Sequence, residues 1–231
     1  MPKKFLRIDQ VHTQAIEDYL KAIFELQESE ANVSTTALAA RLEVTPASVT
    51  GMIKKLSTLN LVVYQPYKGV VLTDVGRKAA LEVIRHHRLI ELFLAEALGV
   101  PWDLVHEEAN KMEHVLSEYL EDQMDAALGY PTADPHGAPI PNRDGDIEDR
   151  ESIPLANLQP GQSALVLEVS DHVPSFLRYV GELGIFPQTR VTVVASAPFG
   201  GPMTIRVKDT EHAIGSEVFD HVLVTGVTTA E

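Results

Sequence analysis

Val62-Val63-Tyr64-Gln65-Pro66-Tyr67-Lys68-Gly69-Val70-Val71-Leu72-Thr73 sets two β-branched runs on either side of a Lys-Gly tip, the pattern of a β-hairpin. What precedes it decides the fold. Ser34-Thr35-Thr36 caps a short helix over 37–42, and Glu43-Val44-Thr45 makes a turn. Pro46, a favoured first helical residue after a Thr N-cap, opens a second helix over 46–60. Two helices about a turn, followed at once by a hairpin, spell a winged helix-turn-helix. Upstream, the segment 9–28 carries Ile16, Tyr19, Leu20, Ile23, Phe24 and Leu26 at helical spacing. Downstream, Thr73-Asp74-Val75-Gly76 opens a helix that can run to Leu98.

Such an element predicts contact with DNA. The second helix offers Thr45, Ser48 and Thr50 on its early turns, where small hydroxyls and a helix N-terminus can approach phosphates or base edges. Lys54 and Lys55 on its later turn and Lys68 in the wing would neutralise backbone charge. The competing reading is a helical hairpin whose Ser and Thr only cap. No run of Asn or Arg points to particular bases.

Charge distribution agrees with a DNA-facing N-terminal part. The formal net charge is −14, yet residues 1–81 balance at +2, residues 82–150 at −11 and residues 151–231 at −5. Local positive charge, not a basic whole, is what a phosphate backbone requires. Hydrophobic content of 45% and charged content of 23% are those of a globular protein. No apolar run approaches the ~18 residues of a membrane span, and the basic N-terminus lacks the apolar core of a signal peptide, so cytoplasm is the expected compartment. Cysteine is absent, so any metal must take nitrogen and oxygen ligands.

After Gly99-Val100-Pro101-Trp102-Asp103 breaks the long helix, His106-Glu107-Glu108-Ala109-Asn110-Lys111-Met112-Glu113-His114 begins another, read as continuing to about Leu128. At helical spacing His106, Asn110, Glu113 and His114 share one stripe. His87 and Glu91 form a second i, i+4 pair about twenty residues earlier. Residues 107–125 are acidic, so a solvated charged face competes with a metal-binding one. Two helices with His and Glu in register, in a chain of 9 histidines, favour metal.

The segment 131–154 is rich in Pro, Gly and Asp and reads as a linker or ordered loop; His136 within it reads as a loop residue, not a ligand. Beyond about residue 155 the period changes to two, with strands over 164–169, 190–194, 204–207 and 221–224 and a helix over 175–183. The fold class is therefore mainly α with an all-β C-terminal module. A winged helix-turn-helix domain is expected over 1–80, a helical metal-binding and dimerisation domain with linker over 81–150, and a small SH3-like barrel over 151–231.

In sequence and order, Ile16-Glu17-Asp18-Tyr19-Leu20-Lys21-Ala22-Ile23-Phe24-Glu25-Leu26, Arg85-His86-His87-Arg88-Leu89-Ile90-Glu91, Val105-His106-Glu107-Glu108-Ala109 and Met112-Glu113-His114-Val115-Leu116-Ser117 resemble blocks of the diphtheria toxin repressor family of metal-dependent transcriptional repressors. The resemblance covers nearly the whole length. It implies two metal sites per subunit: Asp18, Asn110, Glu113 and His114 in one, and His87, Glu91 and His106 in the other, with Asp171 joining from the C-terminal module. Pro174 stands where some relatives place a Gln ligand. Iron-responsive relatives have Met at the position of Asp18 and manganese-responsive ones Asp; the harder oxygen favours Mn2+, with Fe2+ second. Asn110 stands where relatives offer Cys or Glu, a neutral and weaker donor. Gly51 stands where a relative has Gln. The C-terminal strands resemble a five-stranded barrel found in longer members.

The resemblance implies a repressor that binds palindromic operator DNA as a homodimer when loaded with metal and controls metal-homeostasis genes. Helices over about 95–128, with Trp102, Leu104, Val105, Leu116 and Leu120, would supply the dimer contacts. The alternatives are a dinuclear metalloenzyme, such as a hydrolase using the His/Glu cluster, and a metal buffer or chaperone. The winged helix disfavours both.

Overall fold

A computed structural model describes residues 13–28, 30–66, 68–171 and 173–229; the expected helical residues 9–12 lie outside this range. The chain divides into two compact units. One holds the residues up to His86 together with Pro141–Asp146, the other His87–Ile140 together with Ile147 onward.

In the first unit, α1 (Gln14–Gln27) buries Ile16, Tyr19, Leu20, Ile23 and Phe24, the stripe that the periodicity predicts. It packs on α2 (Thr35–Arg41) and on the hairpin. Ser34 caps α2 by accepting the amide of Ala37 at 3.0 Å. Thr45 caps α3 (Pro46–Thr58) by accepting the amide of Ser48, with Pro46 in the first turn. Val49, Ile53 and Leu56 of α3 are fully buried, at the i, i+4, i+7 positions of one face. The wing pairs β1 (Val62–Gln65) with β2 (Gly69–Leu72) antiparallel, Tyr64 opposite Val70. The winged helix-turn-helix is present.

The 25-residue helix α4 (Asp74–Leu98) begins in the first unit and ends in the second. There its Ile90 and Leu94 pack with Val105 and Ala109 of α5 (Val105–Met112) and with Met124 of α6 (Glu118–Ala127). The single helix expected over this stretch is thus two. Glu113 ends α5, and Ser117 starts α6 afresh by accepting the amide of Leu120. A Ser that offers its hydroxyl to the backbone favours a cap over a helix interior.

The rest of the second unit is a six-stranded antiparallel sheet. Its strands are β3 (Ile153–Pro154), β4 (Gln162–Val169), β5 (Arg190–Ser196), β6 (Met203–Val207), β7 (Thr210–Ile214) and β8 (Val222–Thr229), in the order β3-β8-β4-β5-β6-β7. Helix α7 (Pro174–Glu182) follows β4, and the short α8 (Ser216–Phe219) precedes β8. Six strands replace the five implied by resemblance, the additional pairing being the two-residue β3 against β8. Strand β7 went unread because Thr210-Glu211-His212-Ala213-Ile214 opens with three polar residues and shows no apolar alternation, as suits the edge of the sheet.

The Pro/Gly-rich segment after α6 is pinned to this sheet. Asp134 Oδ1 accepts the amides of His136 and Ala138 at 2.8 and 3.0 Å, an Asx-type turn. The carbonyl of His136 accepts the amide of Val169 at the end of β4. Gly137, at φ +94°, passes so close to β4 that a Cβ there would meet the Leu167 carbonyl oxygen at 2.0 Å. Gly137→Ala is therefore expected to destabilise the fold by about 1–3 kcal/mol in urea unfolding. By contrast Gly51→Ala, in a helix with nothing within 4 Å of the new Cβ, should raise stability by up to ~1 kcal/mol.

Candidate metal centre

Three elements of the second unit bring four side chains together. His87 and Glu91 stand one turn apart on α4, His106 lies in the first turn of α5, and Asp171 sits in the connection between β4 and α7. Their donor atoms converge. His87 Nε2 lies 2.9 Å from Glu91 Oε1 and 3.1 Å from His106 Nδ1. His106 Nδ1 is also 3.1 Å from Glu91 Oε1 and 3.2 Å from Asp171 Oδ2. Glu91 is fully buried and His87 nearly so; His106 and Asp171 are half-buried.

Hydrogen bonding alone is a poor account of this cluster. One imidazole nitrogen carries at most one proton, yet His106 Nδ1 faces a second ring nitrogen and two carboxylates at once. A central cation satisfies all four lone pairs together. Ligands about 2.1 Å from an octahedral ion stand about 3.0 Å from one another, against about 3.4 Å around a tetrahedral one. The separations of 2.9 to 3.2 Å match the octahedral edge. His, Asp and Glu donors in that geometry suit a divalent cation such as Mn2+.

Glu113 nearly closes the set from outside. Buried at the C-terminal end of α5, it places Oε2 against His87 Nδ1, the ring nitrogen facing away from the cluster. Such an outer carboxylate fixes the tautomer and orientation of a ligating imidazole. Its other oxygen lies 3.4 Å from His114 Nε2. Glu113 therefore touches both of the sets into which the sequence sorts these residues. Asn110 is exposed on α5, His114 is half-buried just beyond it, and Asp18 is half-buried on α1 of the first unit.

Two side chains outside the predicted set also face Glu91. His136, expected to be a loop residue and not a ligand, is fully buried, and Asp134 is nearly so. His136 Nδ1 stands 3.8 Å from Glu91 Oε2 and 4.0 Å from Asp134 Oδ1. An Asp-Pro-His-Gly turn signature was their only trace in the sequence, and it carries no periodicity to show burial.

Burial pulls against the charged forms of Glu91, His106 and Asp134, and the neighbours decide the outcome. Burial raises the Glu91 carboxyl, but the His87 charge, the hydrogen bonds of His106 and His87 and the nearby His136 outweigh it and hold Glu91 well below the usual range. Burial lowers His106, yet hydrogen bonds to Asp171 and Glu91 lift it to about 10. Burial and then the Glu91 charge push Asp134 up to about 7, against the opposing pull of His136 and Arg88.

The residues expected to face DNA belong to the first unit. Thr45, Ser48, Lys54, Lys55 and Lys68 are exposed and Thr50 half-exposed. Thr45 and Ser48 hydroxyl oxygens lie 3.0 Å apart, and Thr50 donates to the Pro46 carbonyl at 2.9 Å, so the capping role that competed with DNA contact is real for Thr45, while Thr50 bonds within its own helix. Thr50 and Lys68 line one surface groove of about 380 Å3 between α3 and the wing, with Ser34, Tyr64 and Gly69. Of the residues expected at a dimer contact, Val105 is fully buried in its own unit, and Trp102 packs on Phe186 and stacks on His136, with ring centroids at 4.8 and 5.6 Å. Leu104 and Leu120 remain exposed, as do Leu98, Val115 and Tyr119. No helix among the described residues is long and apolar enough to cross a membrane.

Comparison with known proteins matches three family models in chain order. Residues 12–70 fit the N-terminal DNA binding domain of iron dependent repressors, 73–142 their metal binding and dimerisation domain, and 153–226 the FeoA domain. The iron-dependent repressor IdeR of Mycobacterium bovis is 30% identical over 208 residues, covering 85% of this chain and 90% of that protein. The chain belongs to the iron-dependent, or diphtheria toxin, repressor family. The diphtheria toxin repressor of Corynebacterium efficiens is likewise 30% identical, over 88% of this chain and 95% of its own. A solved manganese-dependent transcriptional repressor in complex with manganese superposes at a TM-score of 0.85 with 38% identity, covering 90% of this chain and 98% of the other. As a family member, the chain carries a DNA-binding domain and a metal-binding and dimerisation domain of a metal-dependent transcriptional repressor.

Any cation that takes the four converging donors must displace the proton that His106 holds up to about pH 10. Mn2+ affinity should therefore rise with pH between about 6 and 8, with net proton release on binding. Calorimetry in buffers of different ionisation enthalpy measures that release, and a pH-independent affinity would contradict it.

Proposed function

We propose that this repressor responds to Mn2+, with Fe2+ as the second choice, and that the loaded homodimer binds a two-fold-symmetric operator in the cytoplasm to control metal-homeostasis genes. The observation that carries this reading is the convergence of His87 Nε2, Glu91 Oε1, His106 Nδ1 and Asp171 Oδ2 at octahedral spacing. One metal position takes these four. A second takes Asp18, Glu113 and His114, with Asn110 contributing as a weak neutral donor; its support is the family pattern of these residues. Asp18, a hard oxygen in place of the thioether of iron-responsive relatives, supports Mn2+, as does the similarity to a structure titled manganese-dependent.

The metal supplies positive charge that holds anionic and imidazole donors from separate elements in one arrangement. Glu113 orients His87 for it. On the DNA side, the N-terminus of α3, its capped first turn and the three lysines meet the duplex, and the exposed apolar residues Leu98, Leu104 and Leu120 contribute to the contact between subunits.

Linkage requires that metal and operator strengthen each other by the same factor. Fluorescence anisotropy with the protein's own upstream DNA should show affinity rising at least about tenfold from chelator to saturating Mn2+, a coupling of about 1.4 kcal/mol. Equal affinities would refute the reading. Asp18→Met should shift the ratio of Mn2+ to Fe2+ activation toward iron under anaerobic conditions.

Lys54→Ala, Lys55→Ala and Lys68→Ala should each weaken binding to operator and random DNA alike. Each lost phosphate contact flattens the slope of log affinity against log salt by about 0.9. A loss confined to the operator would assign the lysine to base reading instead.

A further inference from the structure

Glu91 has two oxygens, and the four-donor cluster uses one. Oε1 faces His87 and His106, whereas Oε2 is buried with no hydrogen-bond partner and points to a different group of atoms. Asp134 Oδ2 and His136 Nδ1 are likewise buried without a hydrogen bond. One ligand atom from each of Glu91, Asp134 and His136 lies within 4.8 Å of the others, and all three residues are buried. Three unsatisfied polar atoms on three neighbouring buried side chains need an explanation, because a buried polar group left without a partner is costly.

The imidazole is prepared as a ligand. His136 Nε2 lies 2.8 Å from the Trp102 carbonyl, to which it can only donate. When the ring is neutral, with its proton on Nε2, it turns the Nδ1 lone pair toward Glu91 and Asp134. A lone pair facing two carboxylates is repelled unless a positive charge intervenes. At 3.8 Å from Glu91 Oε2, an added Nδ1 proton is too distant for a good hydrogen bond, whereas two ligands of one cation about 2.1 Å away span that gap at an open angle. Asp134 is anchored independently. Its Oδ1 accepts the amides of His136 and Ala138 and lies 4.0 Å from His136 Nδ1, while Oδ2 has Arg88 Nε at 3.8 Å.

We infer that Asp134, His136 and the second oxygen of Glu91 form a further divalent-cation position, so that the Glu91 carboxylate bridges two ions. The four-donor position lies on its Oε1 side and the new one on its Oε2 side. This rests on the four-donor position proposed above. A buried carboxylate shared between two cations is compensated on both oxygens, which accounts for a fully buried Glu ringed by three imidazoles and two further carboxylates. The turn holding Asp134 and His136 hydrogen-bonds to β4, and Asp171 follows that strand, so both positions draw on the sheet module.

The test is Mn2+ binding by the full chain, read by equilibrium dialysis and by electron paramagnetic resonance. The wild-type protein should show a spin-coupled Mn2+ pair. His136→Gln and Asp134→Asn should each abolish the coupling and weaken one Mn2+ equivalent by at least about tenfold, leaving the remainder. Asp134→Asn keeps the oxygen that accepts the two turn amides, so it decides the matter if His136→Gln proves unfolded by circular dichroism. Wild-type stoichiometry and coupling in Asp134→Asn, or no coupled signal in the wild type, would overturn the inference and mark His136 as a protonated partner of Glu91. His106→Ala separates the two readings. If it too retains every equivalent, the four-donor position itself fails; if it loses one while Asp134→Asn loses none, only the bridged pair fails.

Discussion

A carboxylate buried at zero exposure in the middle of a helix is costly, and Glu91 of α4 is such a group. An isolated charge there would be displaced or protonated. Instead His87 is one turn earlier, His106 comes in from α5 and His136 from the turn beyond α6, and together they keep Glu91 ionised. Two of these imidazoles are in turn held from behind: Glu113 faces the outer nitrogen of His87, and the Trp102 carbonyl accepts from His136. In this arrangement the donors are pre-positioned, and positive charge relieves them.

Much of the second unit serves to hold these partners still. Ile90, Leu94, Val105, Ala109 and Met124 pack α4, α5 and α6 together, which sets His106 opposite His87 and Glu91. Trp102 carries the order further, packing against Phe186 and the sheet core while stacking on His136. Arg178 of α7 donates to Asp103 at 2.8 Å, another tie between the sheet module and the residues before α5. The sheet module thus reaches the four-donor cluster through Asp171.

The first unit works by a different economy. Thr45 caps the head of α3, and Lys54, Lys55 and Lys68 stay exposed, so this face presents positive charge and a helix N-terminus. Residues at this surface are constrained little by packing. Gly51 on α3 has open space around it, and no stacking partner or buried pair fixes the chemistry of that face.

Helical periodicity made most of this legible in one dimension. The stripes of α1 and α3, the i, i+4 pair His87 and Glu91, and the caps Ser34 and Thr45 are local properties of spacing and side-chain chemistry, so the sequence alone determined them. The break between α5 and α6 was missed because Ser117 chose the cap over the helix interior, and β7 because an edge strand needs no apolar alternation. Which carboxylate faces which imidazole was decided only in the tertiary structure. Glu113 shares a stripe with His114 in sequence but contacts His87, 26 residues away. His136 looked like a loop residue because nothing periodic surrounds it. Its burial comes from one long-range hydrogen bond to Val169, the close pass of Gly137 over Leu167 and a Trp102 carbonyl. Non-local contacts of that kind leave no spacing behind, since they join positions whose separation along the chain is arbitrary.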